Sequence, residues 1–258
     1  MNVLNAIILG IVEGITEFLP ISSTGHLILA SQILRIPTTE FLKSFEISIQ
    51  LGAILAVVVL YWKILFLDIH VIKKVVVAFI PTMVLGFVFF KIIKYFFLGN
   101  GQLVLWSLFL GGVFLIIFEL LYCEKQETIE DLSVISYKKS FFIGVFQSLA
   151  MIPGVSRSAA TIIGGLSLGM KRKTIVEFSF LLAVPTMIAA TALDLFKSAG
   201  AFSLAQFHLL AVGFVTSFVV AMVGIKFLLN FIRHHTFVTF GIYRILVAII
   251  FWLFLNQR

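Results

Sequence analysis

The stretch Glu13–His26, EGITEFLPISSTGH, interrupts an apolar run with a proline, two glycines and several hydroxyl side chains. A second stretch, Pro153–Thr161, PGVSRSAAT, interrupts another apolar run in the same way. Together they contain two carboxylates, an imidazole and a guanidinium. Ionisable groups at membrane depth are costly and by default mark a substrate or ion site. Irregular backbone is tolerated there only where protein or a water-filled cavity surrounds it. The sequence therefore predicts one buried polar site formed by two broken helical hairpins.

The composition predicts that these stretches lie in a membrane protein. Hydrophobic residues make up 61% of the chain and charged residues 12%, whereas a soluble domain has about 45–50% and about 25%. The net charge of +7 is spread over the loops that flank apolar runs. Orientation in an anionic bilayer explains this charge better than nucleic-acid binding. The single cysteine, Cys123, excludes an internal disulfide and a cysteine-based metal site.

Apolar runs long enough to cross about 30 Å of hydrocarbon predict six transmembrane helices. They are expected over residues 45–62, 75–97, 103–122, 177–196, 206–228 and 237–256. Two further apolar regions, 3–35 and 140–169, are each broken near the middle, so neither half is long enough to span comfortably. We therefore expect an all-α polytopic membrane protein with six transmembrane helices plus two re-entrant helical hairpins.

Sequence matches between the two halves predict an internal repeat within a single membrane domain, 1–258. Pro20-x-x-Ser23 matches Pro153-x-x-Ser156, and the matches continue in the same order with Glu46-x-Ser48 and Glu177-x-Ser179. The repeats are expected over 1–122 and 140–258, joined by a polar connecting loop, 123–139.

The predicted repeats have opposite topologies. Each half contains one hairpin and three spans, and an odd number of spans inverts the second half relative to the first, as in inverted-repeat transporters. Lysine and arginine are more frequent in the loops of one side, for example at Lys73, Lys74 and 171–173. The positive-inside rule places that side in the cytoplasm and both termini outside.

The first broken stretch contains a pair of carboxylates. Glu13 and Glu17 lie one helical turn apart and share a face. Two buried carboxylates at that spacing repel each other unless a cation or a proton intervenes. Their oxygen ligands favour Mg²⁺ or Ca²⁺. The alternative is a polar helix that lies in water at the membrane interface.

The same stretch places hydroxyl groups next to an imidazole. Ser22, Ser23 and Thr24 lie within four residues of His26. A serine beside a suitable base can act as a nucleophile, and a histidine can act as base, acid or nucleophile. One of the three hydroxyls is also expected to cap the following helix, whose free amide groups can bind an anion.

The second broken stretch is typical of a phosphate-binding site. Arg157 lies between Ser156 and Ser158 at the expected start of a helix. A guanidinium flanked by hydroxyl groups and helix-start amides can bind phosphate oxygens. The alternative is a structural ion pair between Arg157 and one of the glutamates, which is costly to bury.

With these motifs, the chain resembles the undecaprenyl-diphosphate phosphatase family of bacteria, the bacitracin-resistance type, over nearly its whole length. Glu13–His26 matches the family's glutamate-rich motif, and Pro153–Thr161 matches its PGxSRS motif. The remaining matches are Phe45–Gly52, Glu177–Pro185 and Ala192–Leu195.

The resemblance implies hydrolysis of undecaprenyl diphosphate to undecaprenyl phosphate and inorganic phosphate, which recycles the lipid carrier of peptidoglycan synthesis. It also implies a divalent cation (Mg²⁺ or Ca²⁺), an active site that faces the outer side of the bacterial inner membrane, and resistance to bacitracin, which acts on the lipid substrate. Whether the protein forms a homodimer stays open. The implied residues are Ser23, His26, Glu17 and Glu13 for catalysis, Arg157, Ser156 and Thr161 for phosphate, and Glu13 and Glu17 for metal.

Three alternatives stay open at the level of sequence. The nucleophile is Ser23, His26 or an activated water. An inverted repeat with broken helices is also typical of a transporter or flippase of the lipid carrier. A second lipid-phosphatase superfamily shares short serine–histidine and serine–arginine pieces. It requires a histidine soon after the arginine, however, and the first histidine after Arg157 is His208.

Overall fold

The computed structural model of the chain describes residues 1–92, 101–123, 128–197 and 206–256. In these residues the helices are α1 (Val3–Thr16), α2 (Ser23–Ile33), α3 (Glu40–Leu60), α4 (Trp62–Leu67), α5 (Ile69–Ile92), α6 (Gly101–Leu121), α7 (Tyr137–Ser148), α8 (Arg157–Ser167), α9 (Arg172–Lys197), α10 (Phe207–Phe231) and α11 (Val238–Asn256). The only β-type pairing in the described residues is an isolated bridge between Ile129 and Met170. The predicted all-α class is confirmed.

Five of these helices, α3, α5, α6, α9 and α10, are long and apolar enough to cross a membrane. They coincide with five of the six predicted spans, and the chain is therefore a multi-pass membrane protein. The sixth predicted span forms α11, whose apolar part, Val238–Leu253, is shorter. The predicted end of the second span at residue 97 and part of the connecting loop, 124–127, lie outside the described residues.

Each of the two broken regions forms a pair of helices with an irregular break between them. In the first region α1 ends at Thr16 and α2 begins at Ser23. In the second, α7 and a short 3₁₀ turn precede α8. Ser22 and Ser156, directly before α2 and α8, both have left-handed backbone, with φ of 71° and 78°. Ser156 therefore shares its backbone conformation with Ser22, one residue before the Ser23 that the sequence pattern aligned with it.

The two halves pack against each other reciprocally. Helix α1 of the first half packs against α10, and α7 of the second half packs against α5. Both crossings use a glycine: a Cβ on Gly10 would lie 2.9 Å from the carbonyl oxygen of Gly213, and a Cβ on Gly144 would overlap the carbonyl of Ala78. Small residues let membrane helices approach this closely. The approach brings both breaks into one region of the protein.

The hydrophobic core surrounds that region. Phe18 in the first break and Phe180 in α9 are fully buried, and their rings meet edge to face with centroids 5.4 Å apart. Large apolar side chains on the outer faces of the spans are exposed, for example Phe87 and Leu110. That pattern is expected of helices that contact lipid. The core fixes the first break against α9, which also supplies part of the site.

Candidate active site

The two breaks enclose a polar cavity of about 120 Å³. Its lining comes from both breaks, with one residue each from α3 and α9. The lining residues are Glu17, Ser22, Ser23, Thr24, Gln50, Ala150, Pro153, Gly154, Ser156, Arg157 and Met187. Four predicted site residues, Glu17, Ser23, Ser156 and Arg157, therefore lie in one cavity although they come from opposite halves of the chain.

Glu17 links the two halves chemically. The Ser23 hydroxyl donates to Glu17 Oε2 at 2.5 Å, and Arg157 Nη2 lies 3.3 Å from Glu17 Oε1. Glu17 directly follows α1, Ser23 begins α2 and Arg157 begins α8. One carboxylate thus accepts a hydrogen bond from a serine hydroxyl and neutralises a guanidinium. The structural ion pair considered as an alternative for Arg157 is present, and it lies inside the cavity.

Arg157 is held in place but keeps bonding capacity free. Its Nη1 donates to the backbone carbonyl of Ser179 at 2.9 Å. Its buried Nε has no hydrogen-bond partner among the described residues. A buried N–H without an acceptor is costly, and a guanidinium presents five donors in a planar fork. The free Nε–H makes Arg157 suited to donate a hydrogen bond to an oxyanion.

The remaining predicted phosphate-binding residues have different positions. Ser156 lines the cavity, and its Oγ accepts from the amide of Ala159 at 3.2 Å, so it caps α8. Thr161 is fully buried one turn further along, where its Oγ1 lies 2.6 Å from Ser179 Oγ. The structure thus places Thr161 behind Arg157, in contact with the residue that holds the guanidinium.

Glu13 lies deeper than Glu17 and is 1% exposed. Neither of its carboxylate oxygens has a hydrogen-bond partner within the described ranges. By contrast, Gln147 of α7, which precedes Ser156 by as many residues as Glu13 precedes Ser22, has partners. Its side-chain amide donates to Thr82 at 2.8 Å and to Thr186 at 3.1 Å. A buried carboxylate without a donor needs a cation or a proton. This orphaned carboxylate, one turn from Glu17, fits the oxygen-ligand site predicted from the sequence.

Within the described part of the chain, no three histidine, cysteine or acidic side chains form a metal-binding group. Mg²⁺ is often held by one or two carboxylates together with the phosphates of a substrate. Glu13 and Glu17 provide the two carboxylates that such a Mg²⁺ site needs.

His26 is not among the residues that line this cavity, and both of its ring nitrogens have other partners. Its Nδ1 lies 2.7 Å from the Ser22 carbonyl oxygen, and its Nε2 lies 2.9 Å from the Tyr243 hydroxyl. No hydrogen bond joins His26 to Ser23 in the residues that the structure describes. The predicted pairing of Ser23 with a base is therefore made by Glu17 in this structure.

Sequence reasoning did not assign Arg244, which is 1% exposed in α11. Its guanidinium donates to the carbonyls of Pro20 in the first break and of Gly154 and Val155 in the second. It also bonds the carbonyls of Ser107 and Leu108 in α6. These bonds satisfy backbone carbonyls of both breaks that lie outside the helices, and at membrane depth such groups need a partner. An arginine seven residues into an apolar helix was the only signal in the sequence.

Fold and site together define a multi-pass membrane protein with a charged cavity where two broken helices meet. Residues 6–250 match the family model described as bacitracin resistance protein BacA, and the chain belongs to this family.

Curated relatives match over nearly the whole length. One is the undecaprenyl-diphosphatase of Aquifex aeolicus, 55% identical over 246 residues, which are 95% of this chain and 96% of the relative. Another is the undecaprenyl-diphosphatase of a Sulfurihydrogenibium species, 56% identical over 253 residues, 98% of this chain and 99% of the relative. That of Persephonella marina is 53% identical over 254 residues, with the same two shares.

Proposed function

We propose that this protein is a phosphatase of the bacterial inner membrane that hydrolyses undecaprenyl diphosphate to undecaprenyl phosphate and inorganic phosphate. This reaction recycles the lipid carrier of peptidoglycan synthesis and protects against bacitracin. The names of the full-length relatives support the activity. The observation that supports the site most directly is the link from Ser23 to Glu17 to Arg157 across the two halves.

Ser23 is the nucleophile in this proposal. Its Oγ attacks the terminal phosphorus, a bond forms between Oγ and phosphorus, and the bond from phosphorus to the bridging oxygen breaks. Undecaprenyl phosphate leaves with the electron pair of that bond. Glu17, which already accepts the Ser23 hydroxyl at 2.5 Å, takes the proton. A water molecule then attacks the phosphorus and the bond from phosphorus to Ser23 Oγ breaks. Glu17 returns its proton to Oγ, and inorganic phosphate leaves with the water oxygen.

The terminal phosphate binds between Arg157 and the start of α8. The unpartnered Nε of Arg157 donates to a phosphate oxygen, and the first amides of the helix favour the anion. Ser156 adds a hydroxyl at the wall of the cavity. These donors stabilise the transition state, because negative charge grows on the equatorial phosphate oxygens as the phosphoryl group is transferred.

Glu13 and Glu17 would hold the divalent cation, with Mg²⁺ or Ca²⁺ as the chemical class. When bound, the cation would offset part of the negative charge of the two carboxylates and of the phosphate.

The architecture in this proposal is the inverted repeat of six transmembrane helices and two re-entrant hairpins. The reciprocal packing of α1 on α10 and of α7 on α5 supports it, as do the matching left-handed serines, Ser22 and Ser156. The distribution of lysine and arginine supports a cavity that faces the periplasmic side.

Phosphoserine is expected as a trapped intermediate. The purified protein is mixed with diphosphate labelled at its terminal phosphorus, the reaction is quenched with acid, and the label is mapped. We expect an acid-stable label on Ser23, absent from Ser23→Ala. Ser31→Ala removes a buried hydroxyl of the same helix and keeps the label. An acid-labile label on His26 would overturn the assignment. Appreciable turnover of Ser23→Ala without any label would identify water as the attacker.

A divalent cation is expected to be required. Excess chelator should abolish phosphate release, and Mg²⁺ or Ca²⁺ should restore it. Glu13→Gln should raise the metal concentration needed for half-maximal activity, because it removes one anionic ligand. Glu40→Gln, at an exposed carboxylate that pairs with Lys43, is the control and should leave this concentration unchanged. Full activity in excess chelator would contradict the metal site and leave the carboxylates to act by proton transfer.

A further inference from the structure

His26 of α2 and Tyr243 of α11 form a hydrogen-bonded pair. Their rings are stacked, with planes 5° apart and centroids 5.5 Å apart, and the Tyr243 hydroxyl lies 2.9 Å from His26 Nε2. Tyr243 is in α11, directly before Arg244, whose guanidinium bonds the backbone of both breaks. The final helix therefore contacts the site through two adjacent side chains.

The partners of His26 define its tautomer. A backbone carbonyl can only accept, so the 2.7 Å contact with the Ser22 oxygen requires a proton on Nδ1. In the neutral ring Nε2 then holds a lone pair, which accepts from the Tyr243 hydroxyl. Both nitrogens are thus engaged, and Nε2 points to α11.

A comparison of the two breaks shows what the imidazole adds. Ser22 and Ser156 have the same left-handed backbone, which is strained for a residue with a side chain. Ser156 caps its helix with its own hydroxyl, which accepts from the amide of Ala159. Ser22 makes no such side-chain bond to the described residues. The carbonyl of each serine accepts from the amide four residues later, His26 or Ala160, and at Ser22 the His26 imidazole adds a second, shorter bond to that carbonyl.

We propose that His26 and Tyr243 are positioning residues: Tyr243 donates to His26 Nε2, and His26 Nδ1–H holds the Ser22 carbonyl and with it the strained turn that aims Ser23 at Glu17. His26 accordingly transfers no proton in the reaction. The effect on catalysis rests on the proposed function, whereas the hydrogen bonds themselves can be measured without substrate.

Two substitutions of His26 separate positioning from proton transfer. The side-chain nitrogen of asparagine is as many bonds from the backbone as Nδ1, and that of glutamine as many as Nε2. His26→Asn keeps a donor for Ser22 and should keep kcat within about tenfold of the parent. His26→Gln should lose more. If His26 transfers a proton, both variants should lose about 10²- to 10⁴-fold. Such a loss in a His26→Asn protein with parental thermal stability would overturn the proposal.

Tyr243→Phe tests the second bond and keeps the stacked ring. The kcat should fall about 3- to 15-fold with KM unchanged, since one hydrogen bond is lost. The ¹⁵N signal of His26 Nε2 should shift towards that of an unbonded nitrogen. Tyr137→Phe, at an exposed tyrosine outside the site, should change neither quantity. In a His26→Asn background Tyr243→Phe should add nothing, because no atom remains at the Nε2 position.

The outcomes of these experiments are distinct. An unchanged His26 ¹⁵N spectrum in Tyr243→Phe, or a full additional loss in the His26→Asn background, would overturn the positioning pair. If the parent protein released no phosphate, the proposed function would fail, and the ¹⁵N shift would still report whether the pair exists.

Discussion

Glu17→Gln should lower kcat by about 10²- to 10⁴-fold, the largest loss that we expect from any single carboxamide substitution in this chain. The glutamine cannot take the Ser23 proton. It also removes the anion that neutralises Arg157 and one of the two carboxylates proposed to hold the cation. Because the Glu17 carboxylate makes all three contacts, the three losses are not additive, and kcat reports their combined effect. Phosphate release at saturating substrate and metal measures the effect.

Glu40→Gln is the matched control, since Glu40 is exposed and pairs with Lys43 in the next turn. Such surface pairs contribute little, and the control should keep the parental rate. Glu17→Asp keeps the charge but shortens the side chain by one methylene, so it should keep the metal dependence better than it keeps kcat. A Glu17→Gln protein that turns over within about tenfold of the parent would show that the Ser23 proton goes to another group.

The members of the site could be predicted from the sequence because they are locally conspicuous. A carboxylate or guanidinium within an apolar run is costly enough to require a reason, and Pro-Gly and serine clusters show where a helix must break. Glu17, Ser23 and Arg157 were all identified in this way, and the structure joins them through direct contacts. Their roles in catalysis stay predictions.

The supporting residues could not be predicted because their partners are distant in sequence. Ser179, Tyr243 and Arg244 lie in helices that look like ordinary spans, and their contacts depend on how α9 and α11 pack. Arg244 reaches Pro20 over 224 positions of the chain. No local periodicity contains that information, since it is set by tertiary packing.

The ends of the helices were also predicted less well than their positions. Hydropathy locates apolar segments well, yet α3 begins at Glu40, before the predicted residue 45. Its start is fixed by Thr39, whose side chain accepts from the amide of Leu42 at 3.2 Å. A capping residue adds about 1 kcal/mol and extends a helix beyond its apolar part. Ser22 and Ser156 share a left-handed backbone, whereas the letter pattern aligns Ser156 with Ser23, because letter matching carries no information on backbone conformation.

Arg157→Ala should lower kcat/KM by about 30- to 1000-fold, which corresponds to a loss of about 2–4 kcal/mol in transition-state stabilisation. The substitution removes the donors proposed for the phosphate. It also leaves Glu17 buried without its cationic partner, so thermal stability should fall as well. Arg157→Lys should restore only part of the rate. A single ammonium cannot reproduce a planar fork that bonds the Ser179 carbonyl and Glu17 and still offers Nε.

The matched control is Arg233→Ala, which removes an exposed arginine just after α10 and should leave both rate and stability unchanged. The two effects at Arg157 are separated by comparing kcat/KM with the melting temperature of the same preparations. A double variant, Arg157→Met with Glu17→Gln, tests whether Arg157 does more than neutralise Glu17. If neutralisation were its whole role, the double variant would be as stable as the parent protein. Its activity would then equal that of Glu17→Gln alone. We expect instead that the double variant recovers stability but has a higher KM than Glu17→Gln, because Arg157 binds the phosphate through donors that Glu17 does not occupy. A parental rate in Arg157→Ala would show that the second break only supports the first.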